Sequence, residues 1–418
     1  MNNKIRVGEF GQVLMRFASA QVVSNFLRIL SGLIVVRLLE PSLYGEFTGV
    51  GVYMGYVLLG HGGVLNGLSR ELPFEYGKKN ESYAKKLAFS SFFLAAFLSL
   101  ITAIAFLVIG VYKIYSGNEL IGLIYLSYSF IGGFQLLNKQ FLPRLYFRNE
   151  DFNLLSKQNI KFGLGTFITV VLVYLFNIYG LLIRGVVLAV YQFFLLFSKK
   201  PFKLELKFKI RHLKTLFKTG FPIFLVGQVN PLWITILNTI IFNLGGPLSF
   251  GLYALSNIIF GAIGIIPSAF ASVIYPRMSI MLGGGKSVNY ILKANIKPLI
   301  FQVGFTLVIA IVGLILLPPS VQLILPKYVN GIKAAQWMLF VPVAQSFGAL
   351  NNIYNVVKKQ QWYFVSLLTG AIVGSLFVYI KVQSGNFQLE YFPQGILLGT
   401  IIQQVLSFLF LSTLKRNG

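Results

Sequence analysis

Long apolar segments limit the fold of this chain more than any other feature. About twelve follow one another, at roughly 14–38, 46–69, 87–112, 120–142, 162–178, 180–198, 219–243, 249–275, 297–317, 333–356, 362–380 and 393–414. A helix of about 20 mostly apolar residues crosses the hydrocarbon core of a bilayer. Hydrophobic residues make up 56% of the 418 residues and charged residues only 11%. The sequence predicts an all-α polytopic membrane protein with about 12 transmembrane helices and no large soluble domain.

The distribution of positive charge predicts the orientation. The chain has 36 Lys and Arg against 11 Asp and Glu. Cytoplasmic loops of membrane proteins carry an excess of Lys and Arg. If both termini are cytoplasmic, the loops on that side hold most of the 36 basic residues. We therefore expect cytoplasmic termini and membrane lipids as partners, and we do not interpret the positive charge as a nucleic-acid surface.

A basic run at 199–218 divides the segments into two sets of six. We expect an N-terminal six-helix lobe at 1–198, an amphipathic cytoplasmic linker at 199–218 and a C-terminal six-helix lobe at 219–418. The alternation of apolar and basic residues in the linker suits an anionic membrane surface. The alternative is a solvated tether without a further role.

An internal repeat supports two pseudo-symmetric bundles. The segment Glu40–Gly45 aligns with Gly246–Gly251, matching Pro to Pro, aromatic to aromatic and Gly to Gly. With six spans between them, the two copies run parallel, and transporters built in this way bind substrate between the repeats. Chance similarity of loops rich in Pro and Gly is the alternative.

Polar residues recur on one face of the first segment. Gln21, Ser24, Asn25 and Arg28 are spaced i, i+3, i+4 and i+7, so they share one side of a helix. Such a face avoids lipid because each polar group needs a partner or water. It therefore predicts either a wet, substrate-binding cavity or hydrogen bonds between helices.

Arg28 is the strongest candidate for a binding residue. A guanidinium near the middle of a span costs about 2.5–3.5 kcal/mol on insertion scales, and the acidic residues of the chain fall in loops or at segment ends. An uncompensated Arg suits a substrate phosphate, which it binds with two parallel hydrogen bonds. Pairing with backbone carbonyls is the alternative.

Four further residues complete the predicted substrate-binding set. Arg16 and Arg184 lie closer to segment ends, where their side chains can reach water. Gln345 and Asn352 of the tenth segment offer amides suited to sugar hydroxyls. No motif of an enzyme, a metal site or a cofactor site is found, and the chain has no cysteine. We therefore expect neither catalysis nor a cofactor.

Loop motifs carry a resemblance to a known family. They are Leu38–Gly45 after the first segment, Leu68–Pro73 with Gly77–Lys78 after the second, and Gly251–Ser256 and Val273–Arg277 in the second half. In these motifs, the chain resembles the polysaccharide or O-antigen (Wzx-type) flippases. That family belongs to the multidrug/oligosaccharidyl-lipid/polysaccharide (MOP) superfamily, which also holds multidrug and toxin extruders.

The resemblance implies a function and partners. It implies two six-helix lobes that move an undecaprenyl-pyrophosphate-linked oligosaccharide from the inner to the outer leaflet of a bacterial cytoplasmic membrane. The product would be the O-antigen of lipopolysaccharide, a capsule or an exopolysaccharide. A glycan polymerase and a chain-length regulator are further partners that it implies.

Three alternatives remain open. A drug exporter of the same superfamily generally needs a membrane-embedded carboxylate, and here only His61 titrates near neutrality within a segment. A major-facilitator sugar transporter would show Gly-x-x-x-Asp-Arg in the loop 70–86, which lacks it. A membrane glycan polymerase or ligase typically has a large outer loop, and none is predicted.

Overall fold

A computed structural model describes the backbone of residues 7–146, 152–357, 359–385 and 387–416. Within these ranges, side chains are described for residues 19–146, 153–271, 274–275, 277–357, 359–385 and 387–413. The described backbone is nearly all helical and contains no strand. The all-α fold class is therefore confirmed.

The helices follow one another with short connections. In the first half they are α1 (Val7–Leu38), α2 (Pro41–Val52), α3 (Met54–Val57), α4 (Val64–Gly77), α5 (Glu81–Tyr115), α6 (Glu119–Leu136), a π-helical turn (Leu137–Phe141), α7 (Leu142–Leu145), α8 (Phe152–Ile168) and α9 (Val170–Ser198). In the second half they are α10 (Ile210–Gly283), α11 (Val288–Ile324), a 3-10 helix (Pro326–Gly331), α12 (Ile332–Met338), α13 (Val341–Ser346), a second 3-10 helix (Phe347–Asn351), α14 (Asn352–Val356), α15 (Gln360–Ser384) and α16 (Tyr391–Arg416).

Eight helices in the described part of the chain are long and apolar enough to cross a membrane. Non-helical backbone at Asn177 (φ 53°, ψ −128°) and at Gly246 (φ 72°, ψ −178°) divides α9 and α10, so each run joins two helices. The predicted segments 46–69 and 333–356 consist of short helices separated by turns. These two segments are therefore not among the eight helices.

The chain forms two compact units. The first unit comprises Met1–Leu39 and Glu46–Gln228, and the second comprises Glu40–Gly45 and Val229–Gly418. The segment 199–218 lies within the limits of the first unit. The apolar side chains of Phe202 and Leu216 are buried in its core, and their burial holds the segment there.

Close helix pairs depend on glycines. In the second unit, α15 packs along α16, where Gly370 and Gly374 lie against the carbonyls of Gly399 and Gly395. Glycines four residues apart lie on the same helix face and let the two helix backbones come close together. Dispersion contacts then stabilise the helix pair in lipid.

The two repeated segments contact each other reciprocally inside the second unit. A Cβ atom on Gly45 would collide with the carbonyl oxygen of Pro247, and one on Gly251 would collide with that of Pro41. Nearby, the Lys327 ammonium donates to the Glu40 carboxylate at 2.5 Å. Each copy of the repeat therefore supplies the glycine that the backbone of the other copy requires.

This contact predicts opposite effects for two Gly-to-Ala substitutions. Gly251→Ala should destabilise the protein by about 1–3 kcal/mol, because the methyl group meets backbone that cannot move aside. Gly32→Ala is the matched control, since nothing lies within 4 Å of its Cβ position and Ala favours a helix. Thermal denaturation of the detergent-solubilised protein measures both. Equal melting temperatures for the two variants would contradict the close contact.

Candidate functional site

The predicted polar face of α1 lies along α8 in the first unit. The Ser24 hydroxyl donates to the carbonyl oxygen of Asn159 at 2.8 Å, and the Asn159 amide donates to Gln21 Oε1 at 2.9 Å. Gly163 of α8 allows this approach, because a Cβ there would lie 3.1 Å from Ser24 Cα. Gln21 and Ser24 therefore make the helix-to-helix hydrogen bonds that the sequence left as an alternative. Half-buried Asn25 makes no hydrogen bond to the described residues.

Arg28 lies one turn further along the same face. Its guanidinium carbon is 4.9 Å from the centre of the Phe162 ring. Its Nε atom is buried and has no hydrogen-bond acceptor among the described residues, and no carboxylate in that part of the chain lies within 4.0 Å. A cation–π contact contributes about 0.5–2 kcal/mol, which is less than the cost of a guanidinium in a span. The described protein therefore leaves this charge uncompensated.

Lys139 is a second cation of the first unit, and it lies within electrostatic range of Arg28. It lies on the π-helical turn Leu137–Phe141, and its side chain is exposed and forms no ion pair with the described residues. Pro143 accounts for the wider turn, because its ring would clash with the carbonyl of Lys139 in a regular α-helix. Lys139 was not among the predicted binding residues. Its position inside the apolar segment 120–142 was the signal that could have identified it.

Arg184 differs from Arg28 because one of its guanidinium nitrogens donates hydrogen bonds to oxygen atoms of the protein, although the buried Nε atoms of both arginines have no acceptor among the described residues. Its Nη2 atom donates to the Ser31 hydroxyl at 2.6 Å and to the carbonyl oxygen of Thr166 at 3.0 Å. Ser31 is buried and donates to the same carbonyl at 2.7 Å. The side chain thus joins α9 to α1 and α8, and its charge is stabilised by backbone and hydroxyl oxygens.

The remaining candidates lie apart from Arg28 in sequence. Arg16 belongs to α1, but its side chain is outside the described residues. Gln345 is half-buried in α13. Asn352, also half-buried, starts α14, and its amide donates to the carbonyl oxygen of Ala349 at 3.1 Å. Both amides belong to the second unit.

His61 occupies the interruption between α3 and α4. Its Nδ1 accepts a hydrogen bond from the amide of Gly63 at 3.0 Å, and its ring contacts the edge of Phe224 at 5.1 Å. Gly62 and Gly63 have positive φ, which glycine adopts without strain. The imidazole is buried, and its Nε2 has no hydrogen-bond partner among the described residues. The interruption therefore holds His61 inside the protein.

Comparison with known proteins shows the family and the fold of this chain. A family model described as a polysaccharide biosynthesis protein matches residues 34–325. No curated protein matches the chain.

Solved structures of the MOP superfamily are similar over almost their full length. One is a multidrug resistance transporter of the MATE family in an inward-facing conformation, with TM-score 0.72 and 18% identity over 94% of this chain and 96% of that chain. Another is described as an outward-facing transporter of that family, with TM-score 0.65 and 17% identity over 97% and 96%. A third is a MOP transporter from Pyrococcus furiosus, with TM-score 0.63 and 17% identity over 96% of each chain. Identities this low show the shared fold alone, which is that of a multi-pass membrane transporter.

The two arginines should respond oppositely to neutralisation. Arg184→Gln should lower the melting temperature, because hydrogen bonds from a charged group are worth about 1.5–3 kcal/mol each. Arg28→Gln should leave the melting temperature unchanged or raise it, because it removes a charge without a counter-ion. Thermal denaturation of the purified protein compares them under one condition. A larger loss for Arg28→Gln would show that the protein itself satisfies Arg28.

Proposed function

The chain belongs to the polysaccharide biosynthesis protein family, and on this premise we propose that it is a flippase for lipid-linked oligosaccharides. Its cargo is an undecaprenyl-pyrophosphate-linked repeat unit, which it moves from the inner to the outer leaflet of the bacterial cytoplasmic membrane. The termini of the chain are cytoplasmic. The product serves O-antigen, capsule or exopolysaccharide synthesis.

The observation that carries this proposal is the uncompensated charge of Arg28, with Lys139 as a second cation within electrostatic range. Two cations that repel each other in a membrane protein need a counter-ion. No described carboxylate supplies one within ion-pair distance of Arg28. A diphosphate offers two anionic groups, and Arg binds such oxygens with paired hydrogen bonds. The anion of the cargo is therefore the missing partner of this pair.

Polar side chains without charge bind the glycan. Asn25 is half-buried and keeps its amide free of hydrogen bonds to the described residues. Gln345 and Asn352 are the other two amides of the predicted substrate-binding set. Sugars with many hydroxyl groups exchange their hydration for such donors and acceptors. The lipid tail stays in the bilayer while the headgroup is carried.

Alternating access moves the cargo. Similar folds are described in an inward-facing and an outward-facing conformation, which supports two accessible states for this fold. Outward movement of an anion is favourable in an inside-negative membrane by about 2.3 kcal/mol per charge per 100 mV. The membrane potential can therefore assist the step without a proton relay.

A multidrug exporter is the second candidate, because two of the similar structures are described as multidrug resistance transporters. Cationic drugs need an anionic partner inside the membrane, whereas the charges described around Arg28 are positive. Efflux of a cationic dye by cells that express the chain tests this candidate. Dye efflux that survives Arg28→Ala would favour it.

Arg28→Ala should reduce export of the surface glycan by about tenfold or more, as expected for loss of a charge-assisted hydrogen bond. The measurement is the amount of surface glycan in a strain that lacks the gene and carries the variant at equal expression. Arg28→Lys should restore part of the export, because it keeps the charge but not the paired hydrogen bonds. Lys157→Ala, an exposed cation on neighbouring α8, is the control. Normal export by Arg28→Ala would refute the anion site.

Lys139→Gln should weaken binding of the diphosphate-linked lipid more than binding of its monophosphate analogue. A hydrogen bond to a charged group is worth about 1.5–3 kcal/mol, or roughly ten- to a hundredfold in affinity. Binding to the purified protein is measured for both lipids, with Lys157→Gln as the control. Equal losses for the two lipids would show that Lys139 does not distinguish the second phosphate.

A further inference from the structure

Residues 201–211, here called the strap, run alongside the first turns of α5. Residues 201–209 have no regular structure, and the last two residues of the strap begin α10. The Ser82 hydroxyl donates to Glu205 at 3.2 Å, and the Phe208 ring lies 4.6 Å from that of Phe93. Just beyond the strap, the His212 ring and the Ser90 hydroxyl are hydrogen-bonded at 2.9 Å. These contacts fix the strap along one side of α5 in the first unit.

The contacts also show which part of α5 the strap lies against. Helix α5 is one of the helices that can cross a membrane. Ser82 lies at its polar start, and Phe93 lies about 16 Å further along, at 1.5 Å per residue. The Phe93 side chain is 49% exposed on this apolar helix. The strap therefore extends from the polar end of α5 towards its apolar part.

The strap presents apolar and basic side chains in alternation. Leu206 is 83% exposed and Ile210 is 60% exposed. Between and beside them, the exposed basic residues are Lys203, Lys207, Lys209 and Arg211. Glu205 is the acidic residue of the strap, and it already accepts a hydrogen bond from Ser82. Large apolar side chains interleaved with cations are typical of segments that bind at an anionic membrane surface.

We propose that the strap binds the headgroups of anionic phospholipids in the membrane that the chain spans. Leu206 and Ile210 insert among the headgroups, while the basic side chains contact lipid phosphates. Each cation near an anionic surface shifts the equilibrium towards the bound form by about fivefold. The proposal concerns the membrane surface and is independent of the cargo.

A single label tests the proposal, because the chain contains no cysteine. Leu206→Cys is labelled with an environment-sensitive fluorophore, and the full chain is placed in nanodiscs of phosphatidylcholine alone or with about one-third phosphatidylglycerol. Lipids that carry a spin label at the headgroup should quench the fluorophore, and more strongly with phosphatidylglycerol. Gly77→Cys is the control site, because it is exposed and a Cβ there meets nothing within 4 Å.

A charge variant isolates the lipid headgroup. Combined Lys207→Gln, Lys209→Gln and Arg211→Gln should abolish the extra quenching with phosphatidylglycerol. The matched control is the combined change of the exposed Lys286, Lys293 and Lys297 to Gln, which alters net charge equally and should leave quenching unchanged. Quenching by aqueous iodide with none by spin-labelled lipid would overturn the proposal in favour of a solvated tether. Equal quenching in both nanodiscs would overturn the preference for anionic lipid.

Discussion

The cost of holding positive charge away from water is the constraint on which the rest of this structure depends. With 36 basic and 11 acidic residues, carboxylates cannot balance the cations. The first unit shows three responses to this excess. Arg184 is bound by a carbonyl and a hydroxyl, the strap exposes its lysines, and Arg28 remains without a counter-ion among the described groups. Only the third response leaves a cation without a described partner, and for this reason Arg28 is the residue that we propose to bind the anion of the cargo.

A second constraint acts on the backbone, which needs internal hydrogen bonds wherever lipid replaces water. Some of the helices are interrupted at glycine, as at Gly246 of α10 and at Gly62 and Gly63 before α4. At the interruption before α4, the backbone of Gly63 and Gly67 packs directly against that of Gly220 and Leu216 in α10. A side chain at these glycines would separate the segments and uncover the turn. The buried position of His61 therefore depends on close packing between the backbone of this interruption and the backbone of α10.

These constraints explain which features were predictable. Apolar length predicted the helical membrane fold, and helical spacing correctly grouped Gln21, Ser24 and Arg28 on one face. Spacing does not identify the partner of a face, however, because the partner Asn159 lies far away in sequence. Hydropathy includes Lys139 in the apolar segment 120–142, but it does not show that the helix continues past this residue through a π-helical turn. Sequence periodicity thus shows which residues share a helix face, while tertiary packing determines whether a polar group on that face has a hydrogen-bond partner.

The repeat shows how a weak sequence signal can have a strict physical cause. Alignment of Glu40–Gly45 with Gly246–Gly251 depends on few residues, and loops rich in Pro and Gly often align by chance. In the structure, Gly45 meets the backbone at Pro247 and Gly251 meets the backbone at Pro41. A larger residue in either copy would collide with the other, so the same residue type is required twice for one reciprocal contact. A short match between repeats is therefore most informative where the two copies pack against each other. The same close contact then restricts the residue type in both copies.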